Sequence, residues 1–219
     1  DRLATTAAEA VAAAAAAGGP VALKICSPDI LHKSDAGGVR LGLDGPGAVA
    51  AAFDEVVAAG RAFRRSADIR GCVVSPMAGS GTEVIVGTKV DPQFGPVIMF
   101  GIGGILVVVL RDVLFRVLPI PRVAARRMLA EIHSAPILHG VRGQPPVDHG
   151  ALVELLMTVS EVVEAYPEIL EMDLNPVICR PDGLSVVDVR ILLRPDAAGQ
   201  AAVEPASARA ATSEGDRPK

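Results

Sequence analysis

A chain of 219 residues is long enough for one domain of two lobes around a real apolar core. Half of it is hydrophobic, yet only 3% is aromatic and Trp is absent, so the core must be built from Val, Leu, Ile and Ala, and base stacking on aromatic platforms is disfavoured. A formal charge of -4 and a pI near 5.6 give no electrostatic footprint for nucleic acid or an anionic membrane.

Three widely spaced cysteines, Cys26, Cys72 and Cys179, form no metal-ligand pair and fit a reduced, cytoplasmic protein. The longest apolar run, Val97 to Leu110, is broken by glycines and falls short of the roughly 20 residues a membrane helix needs. Beginning at Asp1 rather than Met, the chain is expected to be a piece of a longer protein. Asp1 to Ala17 is dominated by Ala, the best helix former, and predicts a truncated helix ending at Gly18-Gly19 before Pro20.

Val21 to Ile25 and Val39 to Leu43 are short, partly β-branched and bounded by Pro, Gly or Asp, which predicts two strands. The loop between them carries Ser27, Asp29, His32, Lys33, Ser34 and Asp35, more ionisable chemistry than a connection requires. Its closing pair, Gly37-Gly38, reads as an anion-binding nest of backbone N–H groups. A helix is expected from Pro46 to Arg65, with Val49, Phe53, Val56 and Val57 at helical spacing, and then a buried strand from Gly71 to Ser75.

From Thr82 the pattern becomes a string of strands, 82–90, 96–100, 105–110 and 113–118, whose short links favour antiparallel pairing. Helices are expected at 122–133 and 149–165. Strands 170–179 and 184–193 flank the hairpin turn Arg180-Pro181-Asp182-Gly183. Beyond Arg194 the sequence has almost no large apolar residue and reads as a disordered tail. The fold class is α+β (α/β). The expected division is an N-terminal helix at 1–19, a small lobe at 20–76, a large lobe at 77–194 and the tail at 195–219.

LKICSPDILHKSDAGGVRLGL, EVIVGTKVDPQFGPVIMFGIGG, RGQPPVD, EMDLNPVI and VVDVR occur in that order. Together they resemble the ATP-grasp domain of the NDP-forming acyl-CoA synthetases, relatives of the succinyl-CoA synthetase β subunit. The resemblance covers about residues 18–193. It implies an ATP-grasp fold of two lobes with nucleotide bound between them, and the cofactors Mg2+ and ATP/ADP. It also implies a partner, the CoA-binding (acid–CoA ligase) α subunit or a fused equivalent; neither nucleic acid nor a membrane is expected as a partner.

Lys24 interrupts an apolar strand, where a point charge could hold nucleotide phosphates, as the family's Lys does in this motif; a surface Lys at a strand end is the plainer alternative. Glu83 matches a family acid near the nucleotide, though an edge-strand charge that blocks aggregation explains it almost as well. Gly103 and Gly104 suit a close approach of phosphate. In VVSPM, where relatives often have Gln, Ser75 is short, so adenine recognition would lean on the backbone from Val74 to Met77.

Asn175 and Asp188, an amide and a carboxylate on adjacent strands, are the expected magnesium ligands, with water and phosphate completing the shell; an ion pair of Asp188 with Arg190 is the competing reading. Asp173 is a substitute or supporting ligand. His32, in the HKSD motif, matches the family's phosphoryl carrier between ATP and the partner. One departure stands out: members of the family commonly carry an acid at the position that Val108 takes here. Two functional classes therefore stay open. One is the ATP-binding module of an ADP-forming acid–CoA ligase. The other is a degenerate nucleotide-binding, regulatory domain of a multidomain protein acetyltransferase.

Overall fold

The computed structural model describes residues 1–104, 112–141 and 143–195. The chain divides into two compact units, Asp1–Gly81 and Thr82–Lys219.

The first unit contains strand β1 (Arg2–Ala4), helix α1 (Ala7–Ala17), strands β2 (Val21–Cys26) and β3 (Val39–Leu43), helix α2 (Pro46–Phe63) and strand β4 (Gly71–Pro76). Its sheet has the order β1-β4-β2-β3 and is antiparallel throughout. Arg2–Ala4 is a strand paired with β4, not the first turn of the expected helix. The cause is local. Thr6 Oγ accepts the Glu9 N–H at 3.2 Å while the Glu9 carboxylate accepts the Thr5 N–H at 2.7 Å. This reciprocal cap satisfies the N–H groups that open a helix and stops it from running back toward Asp1.

Ala10 and Ala13 of α1, Val49, Phe53 and Val56 of α2, and Val21, Leu23 and Ile25 of β2 form one buried cluster. The Ala-rich α1 can therefore approach its neighbours closely, which compensates for the small area each Ala buries.

The second unit contains β5 (Thr82–Asp91), β6 (Gly95–Ile102), β7 (Val113–Val117), α3 (Arg122–Glu131), α4 (Ala135–Leu138), α5 (His149–Ala165), β8 (Ile169–Arg180), β9 (Gly183–Val186) and β10 (Val189–Leu193). The strand order is β10-β8-β5-β6-β7, with β9 paired to β8 and every pair antiparallel. Val84, Val86, Ile98 and Phe100 from one sheet face share a core with Met128 of α3 and Leu152, Leu156, Val159 and Val163 of α5. The apolar stripe legible in α5 is the stripe it buries.

Two features differ from expectation. The expected strand 184–193 is broken at Val187 and Asp188 into β9 and β10. The short α4 was not legible from the sequence: its approach is fixed from a distance by Asp112, whose carboxylate accepts the N–H groups of His133 at 3.0 Å and Ser134 at 2.6 Å and the Ser134 hydroxyl. The central strands β5 and β8 are neighbours although helices separate them in sequence. The expected strand 105–110, Val108 and the tail beyond Pro195 lie outside the described residues. Among the described residues, no helix is long and apolar enough to cross a membrane.

Candidate nucleotide and phosphoryl-transfer residues

In the first unit, Lys24 lies on β2 opposite Val39 of β3 and Val73 of β4 and is only 8% exposed. Burying an ammonium that deeply is costly unless it is partnered or serves an anion. The strand then leads into the His32 loop, which is anchored rather than loose. The Asp29 carboxylate accepts the Asp68 N–H at 2.7 Å, and the Asp29 carbonyl accepts a guanidinium N–H of Arg64 at 3.0 Å. Ile30 and Ala36 are buried in the unit's core on either side of the exposed tip at Leu31 and His32. The sequence reading missed Asp29 and Arg64 as anchors, because the bonds that reveal them span 35 and 39 residues.

The glycine pair that closes this loop is not a nest. The N–H groups of Gly37 and Gly38 donate to the carbonyls of Ser34 at 3.0 Å and Lys33 at 2.8 Å. A Cβ at Gly38 would run into the Ile25 side chain and stand 2.9 Å from the Lys33 oxygen, so close packing explains the residue.

At the other end of this unit, Ser75 is 7% exposed and its hydroxyl is buried without a hydrogen-bond partner. The Met77 N–H donates to the Pro20 carbonyl at 3.0 Å. Any adenine contact from Met77 therefore falls to its carbonyl or its partly exposed side chain.

In the second unit, Glu83 is the second residue of β5, and its carbonyl accepts the Gly103 N–H at 2.7 Å. A Cβ at Gly103 would lie 3.0 Å from Glu83 Cβ, and one at Gly104 would lie 3.4 Å from the Glu83 carboxylate. The turn packs tightly over β5 at Gly103, and Gly104, with φ +68°, needs glycine's backbone freedom. Glu83, Gly103 and Gly104 thus form one local constellation.

Asn175 and Asp188 are also adjacent: the Asn175 N–H donates to the Asp188 carbonyl at 3.1 Å, and the Val187 N–H donates to the Pro176 carbonyl at 3.0 Å. The break between β9 and β10 falls at Asp188, which takes it out of a regular pleat. Arg190, the base considered as its partner, is bonded to Glu171. Asp173 lies opposite Gly87 and Arg190 in the sheet register.

The sequence profile of the ATP-grasp domain matches residues 1–193. The chain belongs to this family. Within it, the chain is 46% identical over 197 residues to the β subunit of acetate–CoA ligase (ADP-forming) II of Pyrococcus furiosus, spanning 89% of this chain and 84% of that one. The acetyl-coenzyme A synthetase 1 of Ca. Korarchaeum cryptofilum, in complex with coenzyme A, Ca-AMPCP and HgCl+, superposes with TM-score 0.85 at 44% identity, covering 88% of this chain and 84% of that chain. A second structure of that enzyme holds coenzyme A and Mg-AMPPCP with its phosphohistidine segment pointing towards the nucleotide site; it superposes with TM-score 0.74 at 41% identity over the same shares. This ATP-grasp domain therefore groups with the β subunits of the ADP-forming acetate–CoA ligases.

The residues of the domain suit the groups its family uses. Asn175 and Asp188 offer hard oxygen donors from chain segments tied by a backbone bond. Among the described residues, no cluster of three or more His, Cys, Asp or Glu groups could hold a metal, so a cation at Asn175 and Asp188 would complete its shell with water and phosphate oxygens.

Proposed function

We propose that this domain is the ATP-binding module of an ADP-forming acid–CoA ligase and carries a phosphoryl group on His32. The observation that bears most weight is the anchored loop that follows the Lys24 strand. It buries Ile30 and Ala36 and leaves the imidazole between them exposed. A carrier must reach two sites, and an exposed ring on a braced loop meets that need better than a buried one.

In the forward direction a ring nitrogen of His32 attacks the γ-phosphorus of ATP. The P–N bond forms as the bond to the β-phosphate oxygen breaks, ADP leaves with that electron pair, and the attacking nitrogen ends without a proton. Lys24 supplies a point charge for the phosphates, and Gly103 and Gly104 let the backbone come close to them. Asn175 and Asp188 would hold magnesium, which when bound neutralises charge on the phosphate oxygens. The phosphoryl group then passes to a partner, an acid–CoA ligase α subunit or a fused equivalent, so that acid, CoA and ATP yield acyl-CoA, ADP and phosphate.

The test is incubation of the full chain with γ-labelled ATP and magnesium, with and without the partner half. An acid-labile, base-stable phosphoprotein is expected, and His32→Ala should lose it. Label retained in His32→Ala removes the histidine from the mechanism. The second reading, a degenerate regulatory module, rests on Val108, at a position where the family resemblance leads to the expectation of an acid. It predicts nucleotide binding without labelling, and labelling that appears only in Val108→Glu.

A further inference from the structure

The loop that carries His32 is held at both ends by a guanidinium group. Arg64, the residue that follows α2, donates from Nη1 to the Asp29 carbonyl at 3.0 Å, and the same nitrogen lies 3.9 Å from the Asp29 carboxylate. Arg40 of β3 acts at the other end. Its Nη1 donates to the Gly37 carbonyl at 3.0 Å and to the Val39 carbonyl at 3.0 Å, while its Nε donates to the Glu55 carboxylate of α2 at 3.2 Å. The two clamped loop carbonyls, those of Asp29 and Gly37, bracket the exposed tip at Leu31 and His32.

The loop is also tied within itself, by the Gly37 N–H on the Ser34 carbonyl and the Gly38 N–H on the Lys33 carbonyl. The clamps at its ends therefore set where this piece sits. Buried Ile30 and Ala36 hold it against the core, but burial of apolar surface has no direction. Charge-assisted bonds to fixed carbonyls do have one. Their contribution is to geometry more than to stability: the Arg40 and Arg64 side chains are 38% and 52% exposed, and ion pairs that open to solvent contribute little to folding. A carbonyl that loses its arginine here can bond to water instead. Position at a reacting centre is far less forgiving, since a displacement of about 1 Å can slow a reaction on the order of a hundredfold.

We propose that Arg40 and Arg64 are positioning residues for phosphoryl transfer, acting through the loop backbone to fix where the His32 ring stands as its nitrogen attacks the γ-phosphorus. The proposal rests on the carrier reading of His32. Neither guanidinium is assigned a contact with the nucleotide; each acts through a loop carbonyl.

The experiment measures the rate of His32 labelling from γ-labelled ATP and magnesium, at saturating nucleotide, in the full chain as wild type, Arg40→Ala, Arg64→Ala and Arg64→Lys. ATP affinity and melting temperature are read by calorimetry, and exchange of the loop amides by mass spectrometry. Each Ala variant should label about tenfold or more slowly, with ATP affinity and melting temperature unchanged and faster exchange confined to the loop. Arg64→Lys keeps one charged donor for the Asp29 carbonyl and should recover most of the rate. His32 labelling at the wild-type rate in either Ala variant overturns the paired clamp and leaves the carrier reading standing. Slowing that comes with a lower melting temperature and is not rescued by Lys makes the arginines merely structural and also overturns it. A wild type that takes no label, or label that survives His32→Ala, removes the carrier and the positioning role together.

Discussion

At the scale of single residues, Asp112 shows how one carboxylate can organise a chain. Burial alone would raise its pKa, but the hydrogen bonds from Ser134 and His133 outweigh that and hold it below the ordinary carboxylate value. With the native pKa depressed, the unfolded chain binds the extra proton first. The stabilisation is thus fully present above the unfolded value and is lost as pH falls through the native one. Asp112→Asn should cost about 1–3 kcal/mol near neutral pH and flatten the acid limb of the stability curve. Urea titrations across the acid range would read both effects, and an unchanged acid limb would count against the role of Asp112.

The cysteines give a second residue-scale test. Burial pushes the thiols of Cys72 and Cys179 up to about 12, so both stay protonated and shielded, while Cys26 is only partly buried. Alkylation of the native protein followed by mass spectrometry should modify Cys26 alone, with the other two reacting after denaturation. Rapid native labelling of Cys72 or Cys179 would contradict the burial described here.

At the scale of elements, the His32 loop is the segment where sequence and structure part most clearly. The loop was legible as chemically loaded, and its HKSD motif named the histidine. Its glycines were read as a nest, yet their N–H groups are spent within the loop. That could not be read from spacing, because it depends on Ile25 standing where a Gly38 side chain would go. Gly38→Ala should therefore destabilise the first unit by about 1–3 kcal/mol through overpacking, measured by chemical denaturation. A neutral substitution would mean that Ile25 can move aside. The α1 cap teaches the converse lesson. Thr5, Thr6 and Glu9 carry a visible capping signature, but the strong Ala propensity drew the helix back across it.

At the scale of the whole molecule, the two cores are built from separate sets of residues, one around Leu23 and Val56 and the other around Leu156 and Phe100. Leu156→Ala should cost about 2–5 kcal/mol, the usual range for emptying a packed leucine site. Hydrogen exchange should report the loss first in strands β5, β6 and β8, whereas Leu23→Ala should act on β2 and β4. Equal loss everywhere for both variants would show that the units open together.

The sequence by itself determined the class of the fold, most element positions, the order of the family motifs and the identity of the candidate residues. All of these rest on periodicity, turn chemistry and short contiguous signatures, which are properties of neighbouring residues. Tertiary structure decided the rest: that β8 lies beside β5, that Asp112 fixes the approach to α4, and that Asn175 meets the Asp188 backbone at a break between strands. It also decided that Arg64 donates to the Asp29 carbonyl. Each of these joins groups far apart in the chain, and their pairing is set by packing and hydrogen-bond satisfaction across the folded unit, which no local pattern encodes.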